Sequence, residues 1–421
     1  MPVRDTARDA ALSAIKAARD EIVRVSREIH QHPEAAGEEH GAVERLTALL
    51  STHGFEVETG IAGLPTAFRA TRINHDTEAM RKGLRHGSLA IVVRADADPD
   101  EGHVAGYPVG VALSLAVAAG LSAALNSEHG TLSVIGVPGD TGMVAMARAG
   151  IFDEFDAVLS AEPAEAGNGF CYTIDGTGDR LAARTAVLAT DGDPASLLTA
   201  LTETVEAHDP PGRLEVGPAG DGGVELTLTG RTSGDILALS AGIQRLVDET
   251  PGASLTFGTT FDDMIVNRIL ARRVKTYADT LGRKFNKTQK SDPAPASGFG
   301  AISYASPTFV LNFPITDEAV ARGTAAFAGI ADRSASYDRA FEYAECACLA
   351  GLDVLREMEF RSIVDDQLVK ALAKRGITRA HRRWLGVHPV IKEPRDPNES
   401  KKKGPRKTNF NIVRGPGMRD N

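Results

Sequence analysis

The sequence predicts an α/β fold in which the main domain is interrupted by a smaller α+β insert, ferredoxin-like in layout. Three observations carry that expectation. Residues 89–137 read strand, helix, strand, which is the crossover unit of a parallel sheet. From about Leu181 to Thr260 short strands alternate with two amphipathic helices, the pattern of a small sheet covered on one face. The chain has 421 residues, more than one core usually organises at roughly 100–200 residues per domain.

Residues 7–52 carry the helical period, with Ile15, Ile22, Val25 and Ile29 on one stripe and Val43, Leu46, Leu49 and Leu50 on another. Gly54 closes the latter helix, as glycine does where the backbone turns left-handed. Phe55–Thr59, Leu89–Arg94 and Thr131–Val137 read as strands. Between the last two, Val109–Leu125 is rich in Ala and broken by Gly and Ser, a buried core helix rather than a membrane span. In the insert, Leu181–Thr190, Val224–Thr229 and Ser254–Thr259 are expected strands, and Pro194–Ala207 and Gly234–Asp248 expected helices. The chain then returns to the first domain through a helix at Asp263–Leu281, a loop around Lys287–Gly300 and a helix at Tyr337–Met358. These readings divide the chain into 1–173 and 263–365 for the main domain, 174–262 for the insert and 366–421 for a basic extension.

Hydrophobic residues make up 42% and charged residues 24%, which excludes a largely disordered chain. The net charge of -9 is unevenly spread. Residues 370–421 hold fifteen Lys and Arg against four acids, leaving about -20 on the rest. A body that acidic argues against nucleic-acid binding, and the basic run reads as a solvated extension. Three cysteines, Cys171, Cys346 and Cys348, form no disulfide framework and no C-x-x-C pair. The first twenty residues lack the apolar run of a secretory leader, so the expected setting is the cytoplasm, with no membrane partner.

A resemblance enters at Ser26–Glu34 (SREIHQHPE), followed by Glu38, Glu39 and His40. Together with Ala62–Ala70 (AGLPTAFRA), Ala149–Val158 (AGIFDEFDAV) and Phe261–Asn267 (FDDMIVN), this resembles the dizinc amidohydrolase and peptidase family, which includes aminoacylase, carboxypeptidase G and aminobenzoyl-glutamate hydrolase. The resemblance implies a catalytic-type α/β domain interrupted by a lid or dimerisation domain, a homodimer through that lid, and a small amide or amino-acid-like molecule as the partner.

The family's metal-binding motifs are altered here. Where that family has D-A-L-P-x-x-G-H-A-C-G-H, this chain runs from Asp96 to Tyr107, with Ala105 at the ligand cysteine, Tyr107 at the ligand histidine and His103 retained. The P-A-E-E-G run, with its general base, is Pro138-Gly139-Asp140-Thr141-Gly142. Glu162-Pro163 stands for His-Pro, Gly298 for an Asp, and Val310 for the last ligand histidine. The lid histidine falls on Ala182 or Ala183. A catalytic zinc needs about three protein ligands, and without metal the attacking water keeps a pKa of about 15.7 instead of roughly 7.

The sequence therefore predicts no metal and no cofactor, and a metal-independent enzyme working by acid–base chemistry from Asp140, Glu162, His103 and Tyr107. Asp96 and Thr141 would contact substrate. Paired carboxylates in a dry pocket suit proton transfer, and Tyr107 suits oxyanion stabilisation. Against this stand blander roles: Asp96 holding a loop, His103 capping a turn, Asp140 and Glu162 as solvated loop acids, and Cys171 as a core thiol. Two alternatives stay open, a non-catalytic scaffold or regulatory subunit and a hydrolase with a rebuilt oxygen-rich metal site formed by Asp96, His103, Asp140 and Glu162.

Overall fold

The computed structural model describes residues 5–82, 85–97, 102–164, 181–219, 223–283 and 296–379. Three helices open the chain: α1 (Thr6–Ala17), α2 (Arg19–Gln31) and α3 (His40–Thr52). They are the helical run expected over 7–52, and Gly54, with φ 81°, ends the third as expected. The main sheet then takes β1 (Glu56–Thr59), β2 (Phe68–Asn74), β3 (Gly87–Arg94), β4 (Gly130–Val137) and β5 (Ala157–Ala164). Between them lie α4 (Thr77–Arg81), α5 (Tyr107–Ala124) and α6 (Gly139–Arg148).

The smaller sheet follows with β6 (Ala182–Thr190), α7 (Ala195–Glu206), β7 (Arg213–Pro218), β8 (Val224–Gly230), α8 (Ser233–Asp248) and β9 (Ala253–Phe261). The chain then rejoins the main layer through α9 (Arg268–Thr280), α10 (Phe299–Ala305) and β10 (Thr308–Pro314). It finishes with α11 (Ala325–Ala331), α12 (Ser334–Arg356) and α13 (Met358–Lys374).

The main sheet has the order β1-β2-β4-β3-β5-β10. Strands β4, β3, β5 and β10 run parallel, and β1 and β2 close one edge antiparallel. A parallel sheet must be covered on both faces. Ile91 and Leu159 meet α5 and α12 on one side, while Val92, Ile135 and Val158 meet α6 and α10 on the other. Helix α5 is long and apolar enough by composition to cross a membrane, yet 89% of it is buried in this fold. It is the predicted core helix.

The second sheet has the order β7-β8-β6-β9 and is antiparallel throughout. Its βαββαβ sequence is the ferredoxin-like layout expected from the pattern. Helices α7 and α8 cover it through Leu201, Val205, Ile236, Leu239 and Ile243. Strands β2, β7 and β10 and helices α6, α10 and α11 had no periodic signal long enough to stand out in the sequence. Helix α13 runs straight across residue 366, where the basic extension was expected to start. The Lys401–Lys403 run and Cys171 lie outside the described residues.

Candidate functional site

In a sheet of parallel strands, functional groups gather beyond the carboxyl ends. Here β3 ends at Arg94 and leads to Asp96, β4 ends at Val137 and leads to Asp140 in the first turn of α6, and β5 carries Glu162 near its end. Helix α5 begins at Tyr107, after Gly106 turns the chain at φ 68°. Four of the six expected site residues, Asp96, Tyr107, Asp140 and Glu162, therefore converge.

Two arginines that the sequence reading did not single out organise them. Arg94 donates through Nε to Asp96 Oδ1 (2.6 Å) and through a terminal nitrogen to Asp96 Oδ2 (2.9 Å), the bidentate fork of guanidinium on carboxylate. Its third nitrogen lies 2.7 Å from Asp140 Oδ2. The guanidinium sits 4.4 Å from the centre of the Tyr107 ring. Burial would depress the Arg94 pKa, but the Asp96 and Asp140 carboxylates outweigh it and hold the group cationic.

From the other side, Arg322, in the loop between β10 and α11, donates to Glu162 Oε2 at 3.0 Å. It stands 5.6 Å from the Tyr107 ring centre and reaches the phenol hydroxyl. Tyr107 is thus flanked by two guanidiniums. Burial pushes its pKa upward against their pull, so the phenol keeps its proton. Val92, Arg94, Tyr107, Ser160 and Glu162 line a cavity of about 10 Å³, space for about one water.

Asp140 has its other oxygen, Oδ1, bonded to the Gly298 N–H at 2.8 Å. Gly298 packs so closely on α6 that a Cβ there would lie 2.5 Å from the Asp140 carbonyl oxygen and 2.4 Å from Met143 Cβ. No side chain, and so no carboxylate, fits at 298 on this backbone. Val310 is a core residue of β10, 4% exposed.

His103 takes no part in the arginine ion pairs, although it lies within electrostatic reach of Asp96. Its Nε2 donates to the Ile29 carbonyl oxygen at 3.1 Å, and its ring stacks on His30 with centres 5.7 Å apart. Burial and the neighbouring His30 drive its pKa down to about 4, so the imidazole is neutral near pH 7. Thr141 is exposed on the first turn of α6. Cys346 and Cys348 are buried in α12, where desolvation raises the Cys346 thiol to about 12 and Cys348 higher still. Among the described residues no three His, Cys, Asp or Glu side chains converge as a metal ion requires.

Behind the site lies Glu39, 3% exposed, whose Oε2 accepts from the Gly37 N–H (2.9 Å) and the Thr66 hydroxyl (2.7 Å). Burial and the nearby Asp96 charge raise its pKa.

No family model matches the chain. Xaa-Arg dipeptidase of Mus musculus is 32% identical over 170 residues, 37% of this chain and 38% of that protein. A component of the p-aminobenzoyl-glutamate hydrolase of Escherichia coli is 27% identical over 163 residues, 36% of this chain and 34% of that protein. The chain thus matches little more than a third of these relatives' length.

Solved structures extend the likeness to most of the fold. A protein from methicillin-resistant Staphylococcus aureus assigned as an aminohydrolase superposes with a TM-score of 0.63 at 18% identity, covering 83% of this chain and 100% of that one. A Bacillus subtilis dinuclear metal binding peptidase of the M20 family gives 0.56 at 14% identity, over 79% and 98% of the two chains. An aminobenzoyl-glutamate utilization protein of Klebsiella pneumoniae gives 0.55 at 13%, over 80% and 98%. At these identities the likeness is one of fold.

Proposed function

Starting from a chain that has the fold of the dinuclear-metal amidohydrolases and peptidases and is similar in sequence to two of their members over about a third of its length, we propose that it is a metal-independent enzyme acting on an amide, amino-acid or peptide-like small molecule. The observation that carries the proposal is the pair of guanidiniums, Arg94 and Arg322, standing on either side of Tyr107 and bonded to the carboxylates at the altered motif positions. The residues present do not fit two metal ions. Ala105, Gly298 and Val310 have no donor atom, and the carboxylates of Asp96, Asp140 and Glu162 already serve arginine. The same pairing speaks against a rebuilt oxygen-rich site, since a hard cation would have to displace two guanidiniums.

The roles follow from the chemistry. A protonated phenol between two cations is an electrophile: Tyr107, helped by Arg322, polarises a substrate carbonyl and stabilises the oxyanion that forms. Asp96 and Asp140 hold Arg94 in place, and Glu162 holds Arg322. Substrate contact at Asp96 is thereby replaced by a positioning role. His103, bonded to Ile29, shapes the turn that delivers Tyr107 and is not the acid or base. With a donor set that does not fit a water-activating metal and with its carboxylates tied to arginine, the site favours a non-hydrolytic change at an amide: isomerisation, cyclisation, elimination or acyl transfer.

We assign a homodimer through the small sheet, supported by the open edge strand β7 with Val216 50% exposed and by Leu237 on α8, 58% exposed. The acidic body speaks against nucleic-acid binding.

The test is elemental metal analysis of the chelator-free protein, with zinc-loaded and untreated samples incubated with a panel of acyl-amino acids and dipeptides and read by mass spectrometry. No metal, no hydrolysis, and conversion that Tyr107→Phe lowers at least a hundredfold is the expected result. About two metals per chain with hydrolysis would overturn it. A second reading, a non-catalytic binding relative, is favoured by the engagement of all three carboxylates with arginine. Saturable binding without conversion would select it.

A further inference from the structure

A second pair of arginines meets at the other end of α6. Arg148, in the last turn of that helix, donates to the carbonyl oxygen of Thr260 on β9 at 3.2 Å. Arg184, on β6, is the ladder partner of the same Thr260. Its Nε donates to the Gly258 carbonyl at 3.4 Å, and its guanidinium lies 4.0 Å from the centre of the Phe257 ring. A break in register between Arg184 and Ala186 re-aims the strand at this point. Both side chains therefore come to the same rung of the small sheet, Arg184 from β6 and Arg148 from α6 of the main layer.

Neither has a carboxylate within ion-pair distance among the described residues, although the chain carries 56 acids against 47 basic residues. Asp262 lies nearby, but burial raises its carboxyl pKa and the Arg148 charge offsets this only in part, while its Oδ1 accepts from the Ser233 hydroxyl at 2.5 Å. Two like charges brought together without an ion-paired carboxylate repel each other, and the Arg184 pKa is depressed by burial and by Arg148. Arg148 is exposed and Arg184 half-buried, so a solute can reach both. Paired guanidiniums offer parallel N–H forks, the geometry that phosphate oxygens take.

We propose that Arg148 and Arg184 form a binding site for a phosphate-type dianion at the junction between the main layer and the small sheet. The site is separate from the Tyr107 cluster. Asp140 opens α6 and Arg148 closes it, about 12 Å apart along the axis at 1.5 Å per residue. An anion held by both arginines ties α6 to β6 and so fixes how the small sheet sits against the main one.

The experiment is a calorimetric titration of the full chain with inorganic phosphate at constant ionic strength in chloride, with acetate as the monoanion control. Saturable binding near one phosphate per chain is expected, weakened at least tenfold in Arg148→Met and in Arg184→Met, and only partly in Arg184→Lys. Acetate should bind far more weakly than phosphate. Circular dichroism of each variant shows whether it is folded, and both positions are solvent-accessible enough for the substitution to be tolerated. Absence of saturable binding overturns the proposal. So does unchanged affinity in both Met variants, which would place the phosphate elsewhere, on the Lys401–Lys403 run or on Arg322.

Discussion

Replacing Arg94 by Met removes the cation on which the candidate site depends. The side chain of Arg94 is 13% exposed and that of Asp96 10%, so neither charge is appreciably relieved by water. Breaking a buried ion pair by deleting one partner costs about 3–5 kcal/mol, because the remaining charge stays buried without compensation. Asp140 adds little to this. Its side chain is 29% exposed, and it retains the Gly298 N–H. The expected loss for Arg94→Met is therefore about 3–4 kcal/mol of unfolding free energy, read from urea denaturation at pH 7. If the cost is the orphaned carboxylate, Arg94→Met/Asp96→Asn should recover about half of it, since an amide pays far less for burial than a carboxylate. A loss below 1 kcal/mol, or no recovery in the double variant, would refute the reasoning and remove Arg94 as the organiser of the site.

His103 supplies a pH signature. Its folded pKa of about 4 lies below the ordinary value of 6.5. A depressed folded pKa gives stability that is present above pH 6.5 and lost as the pH falls towards 4, with a total of about 3 kcal/mol. His103→Gln keeps a donor for the Ile29 carbonyl but does not titrate, so its stability should fall by about 3 kcal/mol less than that of the parent between pH 7 and 4. Parallel curves would contradict this. Gly298→Ala should cost about 1–3 kcal/mol through overpacking against Met143 and the Asp140 backbone; a neutral effect in thermal unfolding would show that α10 can move aside. Arg375→Met should destabilise by about 3 kcal/mol, because Asp263, 1% exposed, loses both of its bonds from Arg375 and keeps only Ser233 and Tyr304. An unchanged urea midpoint would rule that out.

Much of the fold was legible because it rests on periodic apolar patterning. The segment expected as a helix at Val109–Leu125 folds as Tyr107–Ala124, and the expected strand Leu89–Arg94 as Gly87–Arg94. Where the signal was short the reading failed. Strand β7 is exposed at four of its six positions and has no buried face, and α10 is seven residues long. Helix α13 was obscured by its charge: Asp365, Asp366, Lys370 and Lys374 sit among Val364, Leu368 and Leu372, and the basic stretch that follows drew the boundary too early.

The site was legible as departures from a resembled motif but not as the contacts that replace them. Ala105, Tyr107 and Asp140 could be read as departures because neighbouring motif residues fixed their alignment. Arg94 lay at the end of a strand, where nothing local distinguishes a terminal arginine facing solvent from one turned into a cleft. Arg322 meets Glu162 across 160 residues of sequence, a contact that only the return of β10 beside β5 brings about. One signal was available. Carboxylates placed where a fold concentrates function need a neighbouring cation to remain ionised in a buried setting.

That requirement reaches beyond stability. A metal ion brings two positive charges, can bind water directly and lowers its pKa; a guanidinium brings one, cannot be deprotonated and donates hydrogen bonds along fixed directions. Guanidiniums in place of metal ions would still set positive charge beside Asp96, Asp140 and Glu162, at half the charge per cation and without hydroxide generation. What remains is the power to orient and polarise a carbonyl. Under the proposed function, a catalytic and a binding-only site diverge at one side chain, Tyr107. If its phenol is an electrophile, Tyr107→Phe abolishes conversion and leaves ligand affinity within a fewfold. If it only packs between the two guanidiniums, the same substitution leaves both unchanged, and the site is one of binding alone.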